Sequence, residues 1–259
     1  MASGTVKIEK EGAVAVLTIS RPEKLNALDL DMLAALSTAA DAVEADAEVR
    51  VAILTGEGRG FSAGGDIRAW GGMRPEEFGH QWVRHGHRVF ERLATLRMPL
   101  VAAVNGHALG GGLELAGIAD IRIAEEHIRV GLPETGLGMV PGWSGTQRLV
   151  KRFGAQAVRR MALGGEIFNA EEARLLGLLD QVVPTGKAVE AAKDYAARVA
   201  ARGPAALEIV KLMIASASGE DNGTAVEALG SILAAKTGDL REGVASFTEK
   251  RPAQFKGEW

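Results

Sequence analysis

The sequence predicts an α/β fold in which a mixed core of strands and helices is followed by a helical region. Short apolar, strand-like runs recur along the first part of the chain, for example at residues 51–55 and 100–104, and each precedes a glycine-rich turn and a helical pattern. Strands outnumber helices, which favours a coil of repeated units over the one-strand-one-helix alternation of a doubly wound sheet. Beyond residue 187 the pattern is helical and rich in Ala. We therefore predict a core domain over residues 1–195 and a helical region over residues 196–259.

The first part of the chain predicts two strands followed by a helix. The strand-like runs, residues 6–9 and 13–19, are separated by the turn residues Glu11-Gly12, and Pro22 ends the second run. Asp29 is a predicted N-cap, because its side chain can accept a hydrogen bond from the first turn of a helix. The apolar positions of that helix are Leu30, Leu33, Leu36 and Val43.

The middle of the chain alternates strands, glycine turns and helices. Strand 51–55 leads into the first glycine turn, and a helical pattern follows from about residue 75 to residue 96. Strand 100–104 leads into the second glycine turn and its helix. Short strands are predicted near residues 121–124 and 128–130.

Capping signals divide the rest of the chain. Ser144 is predicted to cap a helix ending near residue 154, and Asn169 to cap one ending near residue 177. A last strand is predicted at residues 180–183. The long helical pattern that follows is broken at residues 203–204, 219–223 and 238.

The two glycine-rich turns, residues 60–66 and 106–114, are the strongest functional signal. Both follow an apolar strand and precede a helical pattern, so they present bare backbone N–H groups at a helix N-terminus. Such groups can stabilise a developing negative charge. Two turns that converge on one point are typical of an oxyanion hole.

The composition excludes several classes of function. Hydrophobic residues make up 47% of the chain and charged residues 24%, with a net charge of -3, and this balance gives no basis for nucleic-acid binding. The chain has no cysteine, which excludes disulfides and thiol catalysis and fits a reducing compartment. Residues 1–7 show no apolar signal core, and no segment approaches the ~20 apolar residues that a membrane helix requires. We expect a cytoplasmic location and no membrane partner.

Two carboxylates stand out by their positions. Glu114 lies one turn into the helix that follows the second glycine turn, and Glu134 lies in a stretch framed by glycine and proline between apolar residues. A single Glu is most often a solvated surface residue. The apolar and small neighbours of these two weaken that interpretation. Paired carboxyls in a partly dry site can divide the roles of acid and base at neutral pH.

Two other kinds of site are less well supported. Three histidines fall within eight residues, but positions 85 and 87 point in different directions on a helix, so we expect no metal site. Ser62 and Ser144 lack a partner histidine in any recognisable signature, which argues against a serine hydrolase. The three histidines are His80, His85 and His87.

The combined motifs resemble the enoyl-CoA hydratase/isomerase (crotonase) superfamily. The matching segments lie within residues 20–28, 60–67, 104–120 and 131–149, so the resemblance extends in order over essentially the whole chain. It implies a crotonase-type fold, in which successive ββα units form a coiled core and C-terminal helices mediate trimerisation. Trimers of this family commonly pair into hexamers. The implied partner is an acyl-CoA thioester, with no separate cofactor because coenzyme A is part of the substrate.

The resemblance also implies roles for individual residues. The backbone N–H groups of Gly65 and Gly111 would form the oxyanion hole for the thioester oxygen. Glu114 and Glu134 match the two catalytic glutamates of hydratases, and Gly142 matches a glycine whose N–H helps to hold the water. The residues matched to positions near coenzyme A or the acyl group are Lys24, Leu25, Ala63, Asp66, Ile67, Trp143, Phe255 and Lys256.

The implied chemistry is the reversible addition of water to a trans-2-enoyl-CoA, giving a 3-hydroxyacyl-CoA. Glu114 would deprotonate the water for C3 and Glu134 would deliver a proton to C2. A family isomerase commonly keeps a carboxylate matching Glu134 and lacks one matching Glu114. The presence of both therefore favours a hydratase.

One departure from the family pattern concerns the acyl pocket. Where hydratases commonly read Pro-Gly-Ala-Gly-Gly, this chain reads Pro141-Gly142-Trp143-Ser144-Gly145. Trp143 could narrow or reshape the pocket. An isomerase or dehydratase acting on a specialised acyl-CoA therefore stays open as an alternative. A non-catalytic acyl-CoA-binding scaffold is a second alternative, against which the two intact glutamates argue.

Overall fold

A six-stranded sheet forms the centre of the fold in the computed structural model, which describes residues 4–220 and 223–257. The strand order is β1-β2-β3-β4-β6-β9, with β1 antiparallel to β2 and the remaining neighbours parallel. A second sheet has the order β5-β7-β8. The strands are β1 (Thr5–Glu11), β2 (Val14–Ser20), β3 (Val51–Gly56), β4 (Leu100–Val104), β5 (Ala108–Leu109), β6 (Ile121–Glu125), β7 (Arg129–Gly131), β8 (Ile167–Asn169) and β9 (Gln181–Val183).

Twelve α-helices are described, together with three shorter turns of other helical types. The helices are α1 (Leu30–Ala45), α2 (Ile67–Trp70), α3 (Pro75–Glu77), α4 (Arg84–Ala94), α5 (Gly111–Ala116), α6 (Arg148–Phe153), α7 (Ala155–Ala162), α8 (Ala170–Leu175), α9 (Ala188–Ala200), α10 (Pro204–Ala217), α11 (Thr224–Lys236) and α12 (Gly238–Glu249). The turns are 3-10 turns at Pro22–Lys24 and Glu134–Leu137 and a π-helical turn at Phe78–Val83.

Both faces of the main sheet are buried, which explains the continuous apolar runs of its central strands. Leu54 of β3 belongs to a core shared with α1 and α4, whereas its neighbour Ile53 belongs to a core shared with α9. Successive side chains of a strand point to opposite faces. The sheet therefore carries helices on both sides.

The predicted repeat is confirmed. Strands β3, β4 and β6 lie side by side in the main sheet, and after each of them the chain continues into a second, short extended segment. These second segments also lie side by side, because Ser62 bridges Ala108 of β5 and β5 pairs with β7. The chain is thus a coil of stacked ββα-type units, the α/β architecture that the sequence predicts.

Two of the predicted helix caps are confirmed and one is wrong. The Asp29 side chain accepts from Met32 N at 2.9 Å, and Asn169 forms a capping box with Glu172. Ser144 does not cap α6 with its side chain, because that helix begins only at Arg148. Strand β8 was not predicted, since its three residues carry no alternating pattern of their own.

The chain divides into two compact units, Met1–Glu208 and Ile209–Trp259. The boundary predicted after residue 195 falls inside α9, whose Ala188, Ala192 and Ala196 are buried in the core beneath the main sheet. Helix α9 therefore belongs to the first unit. No helix in the described ranges combines the length and the apolarity needed to cross a bilayer.

Candidate active site

The two glycine turns lie side by side because they occupy equivalent places in successive repeats. A parallel bridge joins Ser62 to Ala108, and Ser62 N donates to the His107 carbonyl at 3.3 Å. The contact leaves no room for a side chain at Gly112, where an added Cβ would lie 2.0 Å from the Ser62 carbonyl oxygen. The turns predicted from sequence to converge are thus held together by the main chain.

Two backbone N–H groups in these turns are free to bind a ligand. The N–H groups of Gly64, Asp66 and Gly110 each donate a hydrogen bond to another oxygen atom of the protein. Those of Gly65 and Gly111 have no acceptor among the described residues. A Cβ added at Gly111 would lie 3.3 Å from Gly65 N, so the two groups are close neighbours. Two neighbouring N–H groups without an internal acceptor are what a two-donor oxyanion hole requires.

Glu114 lies in the first turn of α5, directly beyond this pair of donors. Its carboxylate is buried, and Oε1 accepts hydrogen bonds from Trp143 N at 2.7 Å and Gly145 N at 2.6 Å. Burial raises the pKa of Glu114 from its ordinary 4.5 to about 7, and the negative charge of Glu134 contributes, while the backbone donors oppose the shift. A carboxyl with this pKa can both take and return a proton at neutral pH.

Glu134 enters the same space from the third repeat, at the start of the 3-10 turn that follows β7. Its Oε2 is buried and has no hydrogen-bond partner in the described structure. Burial raises the pKa of this carboxyl too. Gly110, with φ of 53°, makes room for it, since a Cβ there would lie 2.8 Å from Glu134 Oε1.

One cavity of about 350 Å³ contains all four groups. Its walls are otherwise mainly apolar and aromatic, and a lining of low polarity strengthens the electrostatic effect of each donor and carboxylate. The lining residues are Ala63, Gly65, Ile67, Trp70, Phe78, Trp82, Val83, His87, Leu109, Gly110, Gly111, Glu114, Pro133, Glu134, Leu137, Met139, Val140, Pro141, Gly142, Trp143, Ser144, Thr146 and Gln147.

Trp143, like Trp82, is a buried tryptophan in the wall. Its indole packs against Trp82 and Phe90 with ring centroids 5.1 Å apart in both cases, and Nε1 donates to the Trp82 carbonyl at 3.3 Å. One end of the indole lies beside Gly111, and the other lies against Gly86 of α4. The ring therefore spans the cavity wall from Gly111 to α4.

The structure brings most of the predicted site residues together. Ala63, Ile67, Gly142 and Trp143 line the cavity with the two glutamates and the two glycines. Their catalytic and binding roles stay predictions. Among the described residues no cluster of three His, Cys, Asp or Glu side chains is arranged to hold a metal ion.

Three predicted contacts of coenzyme A lie outside the cavity wall. Lys24 Nζ pairs with Asp66 Oδ2 at 2.7 Å, and the buried Asp66 also pairs with Arg21 at 3.0 Å. The adjacent Leu25 has φ of 51° and is 41% exposed. These residues form a surface next to the first glycine turn.

The other two predicted contacts belong to the second unit. Phe255 is 64% exposed and lies beside Gly243. Lys256 N donates to Asp239 Oδ1 at 2.9 Å. Their predicted approach to coenzyme A stays a prediction.

Sequence reasoning missed a polar pair in the cavity wall. His87 and Ser144 both line the cavity, and His87 Nδ1 lies 3.3 Å from Ser144 Oγ. The sequence pattern suggests His87 only as a metal ligand and Ser144 only as a cap or a nucleophile. The departure of residues 143–144 from the family pattern was the available signal, but no sequence rule connects it to a side chain on α4.

Comparison with known proteins agrees with this geometry. Residues 9–258 match the model of the family described as enoyl-CoA hydratase/isomerase. The chain is 40% identical to a short-chain-enoyl-CoA hydratase of Clostridium acetobutylicum, over 97% of both chains, and 37% identical to a crotonyl-CoA hydratase of Syntrophomonas wolfei, over 98% of this chain and 99% of that one. A crystal structure of an enoyl-CoA hydratase from Bacillus anthracis superposes with a TM-score of 0.81 at 34% identity, covering 98% of this chain and all of the other. The chain belongs to the enoyl-CoA hydratase/isomerase family.

Proposed function

We propose that the cavity binds a trans-2-enoyl-CoA and adds water across its C2=C3 double bond, giving a 3-hydroxyacyl-CoA. One observation carries the proposal: two unoccupied backbone donors and two carboxyls of raised pKa face a single, largely apolar cavity. An isomerase needs the donors and one proton carrier. The second, fully buried carboxyl of Glu114 is what water addition requires.

The oxyanion hole supplies the electrophile. Attack at C3 moves the electrons of the double bond toward C2 and the thioester oxygen, where negative charge develops. The N–H groups of Gly65 and Gly111 would donate to that oxygen. Each well-placed donor of this kind stabilises the transition state by roughly 3 kcal/mol.

The carboxyls would carry the protons. Glu114 takes one proton from water as the oxygen bonds to C3, and Glu134 gives one proton to C2, so the double bond is consumed and water is added whole. Backbone N–H groups donate to Glu114 Oε1 and favour its charged form, while burial holds its pKa at about 7. Burial also raises the pKa of Glu134, which favours its protonated form. We assign Glu114 as the base and Glu134 as the acid because these are the roles that the family resemblance implies. Return of the proton from Glu114 to Glu134 resets the site.

The substrate we propose carries a short acyl chain, such as the crotonyl or pentenoyl group. Trp143 takes up space next to the oxyanion hole that a small residue would leave open. The names of the two relatives, a short-chain-enoyl-CoA hydratase and a crotonyl-CoA hydratase, support the same substrate class. An apolar wall recognises such a chain mainly by excluding water and limiting its length.

The test is to mix the purified protein with crotonyl-CoA and to follow the loss of enoyl-thioester absorbance together with the product. Formation of 3-hydroxybutyryl-CoA is the expected result. A product with a moved double bond and no added water would select an isomerase. Binding of acyl-CoA without turnover of short, medium or aryl enoyl-CoAs would leave the scaffold alternative.

Four further features accompany this proposal. We propose that Lys24, Leu25 and Asp66 contact coenzyme A, and that no other cofactor takes part. A contact of Phe255 and Lys256 with coenzyme A is a separate proposal, which rests on the family resemblance. We propose a homotrimer or a hexamer built from two trimers. A cytoplasmic location is the fourth proposal, in keeping with a chain that has no cysteine.

A further inference from the structure

His87 and Ser144 form a polar pair in the cavity wall that has no role in the proposed hydration step. His87 projects from α4, and Ser144 lies in the loop that also supplies Trp143 and Gly145. The His87 Nδ1 to Ser144 Oγ distance is 3.3 Å. Both side chains border the cavity that contains Glu114 and Glu134.

The backbone conformation at Ser144 is energetically unfavourable for a serine. Its φ is 88°, in the left-handed region that glycine favours and other residues rarely adopt. A sequence that keeps serine there accepts backbone strain, and such strain clusters at functional sites. The hydroxyl that glycine would lack is the group that reaches His87.

The position of the pair separates it from the reacting carbons. The Trp143 indole extends from Gly111 to Gly86, the residue before His87. The charges that act on the His87 ring are those of Arg148 and Glu91, and neither is a proposed acid or base. A role in substrate recognition fits this placement better than a role in proton transfer.

The pair suits a neutral ligand group. Burial, followed by the nearby Arg148 cation, lowers the pKa of His87, so the imidazole is uncharged at neutral pH. With Nδ1 directed to the Ser144 hydroxyl, Nε2 stays available. It donates or accepts according to the tautomer that the serine selects. An uncharged imidazole does not supply the cation that a buried carboxylate would need.

We propose that His87, positioned by Ser144, is a specificity-determining residue that hydrogen-bonds a neutral oxygen, such as a hydroxyl, on the acyl tail beyond C3. This inference rests on the proposed hydration of enoyl-CoA and adds a preference among its substrates. A site that hydrogen-bonds a substrate oxygen discriminates against the analogue that lacks it, because its own buried polar group is then left unpaired.

The experiment compares kcat/KM for three enoyl-CoAs of equal length: 2-pentenoyl-CoA, 5-hydroxy-2-pentenoyl-CoA and the 5-carboxylate analogue, glutaconyl-CoA. We expect the wild-type protein to prefer the hydroxylated substrate to pentenoyl-CoA by about tenfold, the effect of one hydrogen bond between neutral groups. His87→Leu should abolish that ratio. His87→Gln, which keeps a donor and an acceptor, should restore part of it.

Two further variants separate recognition from folding. His85→Leu makes the same change on the same helix, at a residue outside the cavity wall, and should leave the ratio as in the wild type. Ser144→Gly suits the local φ, so the fold should tolerate it, yet the ratio should fall because the imidazole loses its partner. Thermal unfolding of each variant checks that the proteins compared are folded.

The outcomes distinguish this inference from the function on which it rests. No hydration of any of the three substrates by the wild-type protein would overturn the proposed function itself. Hydration with equal kcat/KM for the hydroxylated and plain substrates, or a preference for the carboxylate, would overturn only the role of His87. A hydroxyl preference that His87→Leu leaves intact would do the same.

Discussion

Glu114 lines the cavity in an environment that is unfavourable for its charge. The carboxylate is buried, and two backbone N–H groups compensate only part of the lost hydration. The same burial that makes this group a base of pKa about 7 makes the folded protein less stable whenever the group is ionised.

Removing either carboxylate should abolish most of the activity with little structural change. For Glu114→Gln and Glu134→Gln we expect kcat for crotonyl-CoA to fall by about 10²–10⁴-fold, the contribution of a positioned acid or base. Steady-state kinetics and circular dichroism measure the two quantities. Near-wild-type kcat in either variant would show that the residue carries no proton in the reaction.

Stability should decrease as pH rises through the titration of Glu114. The folded state holds this proton more tightly than the unfolded state, whose pKa is the ordinary 4.5, so the contribution is present below about pH 4.5 and is lost by the time the pH has passed about 7. The loss amounts to about 3 kcal/mol, from 1.36 kcal/mol per pKa unit. Urea unfolding at pH 5 and pH 8 measures it.

Glu114→Gln is the control for that pH dependence. Glutamine keeps an oxygen for the two backbone donors but cannot ionise. The free energy of unfolding of this variant should therefore fall less between pH 5 and pH 8 than that of the wild type, and at pH 8 the variant should be the more stable protein. An equal fall in stability from pH 5 to pH 8 in both proteins would contradict the assigned burial effect.

At the scale of elements, the loop of residues 141–147 and helix α4 form one packed structure. Trp143 from the loop occupies the space that Gly86 leaves on the helix, where a Cβ would lie 2.1 Å from the indole Nε1. The same loop supplies both backbone donors to Glu114. Displacing the indole should therefore disturb the base as well as the acyl wall.

Gly86→Ala should reduce both stability and activity. Inserting a methyl group into a filled site costs about 1–3 kcal/mol, and kcat/KM for crotonyl-CoA should fall with it. Gly79→Ala is the matched control, because Gly79 lies in the helical segment just before α4 and an added Cβ has nothing within 4 Å. If both variants unfold at the wild-type temperature, Trp143 does not fill the space at Gly86.

The sequence predicted the local parts of the site better than the contacts between them. The spacing from Gly111 to Glu114 is that of one helical turn, so the position of the carboxylate just beyond the second glycine turn follows from the pattern alone. The contact of Trp143 with Gly86 and that of Ser144 with His87 join residues 57 positions apart. Each depends on how α4 packs, which no local pattern specifies.

The same reasoning applies to the larger elements. Seven of the nine strands in the described residues, all except β5 and β8, and most helices are predicted because they are apolar or clearly capped. Strand β8 has only three residues, and it is a strand because the fold places it beside another strand. The π-helical turn at Phe78–Val83 interrupts a sequence pattern that predicts one continuous helix. The observed boundary between the units lies later in the chain than the predicted one, because α9 buries its alanines in the core of the first unit. The Ala-rich sequence of α9 resembles that of the C-terminal helices, so the pattern alone assigns it to them.

At the scale of the whole molecule, the second unit exposes many apolar side chains. Among its described residues Ser246 is the only buried one, while Phe247 is 86% exposed and Val244 60%. Few single chains leave such a surface uncovered. This composition supports the proposed trimer, whose interface would cover the C-terminal helices.

Phe247→Asp should shift the protein to a smaller assembly. Light scattering of the wild type should give three or six times the chain mass of 27.2 kDa, and the variant should dissociate, because a charge at a buried interface is left unpaired. Leu163→Asp introduces the same charge at a residue of the first unit that is 78% exposed, and should remain at least trimeric. A monomeric wild type would refute the assembly.

The bridge between Ser62 and Ala108 has a consequence for how this site can diversify. The groups that would activate the thioester belong to the peptide backbone, and the pairing of successive repeats holds them in place. Among substitutions, only exchange to proline deletes a main-chain donor. Wall residues such as His87 can therefore change under selection for new acyl groups while the backbone donors are kept.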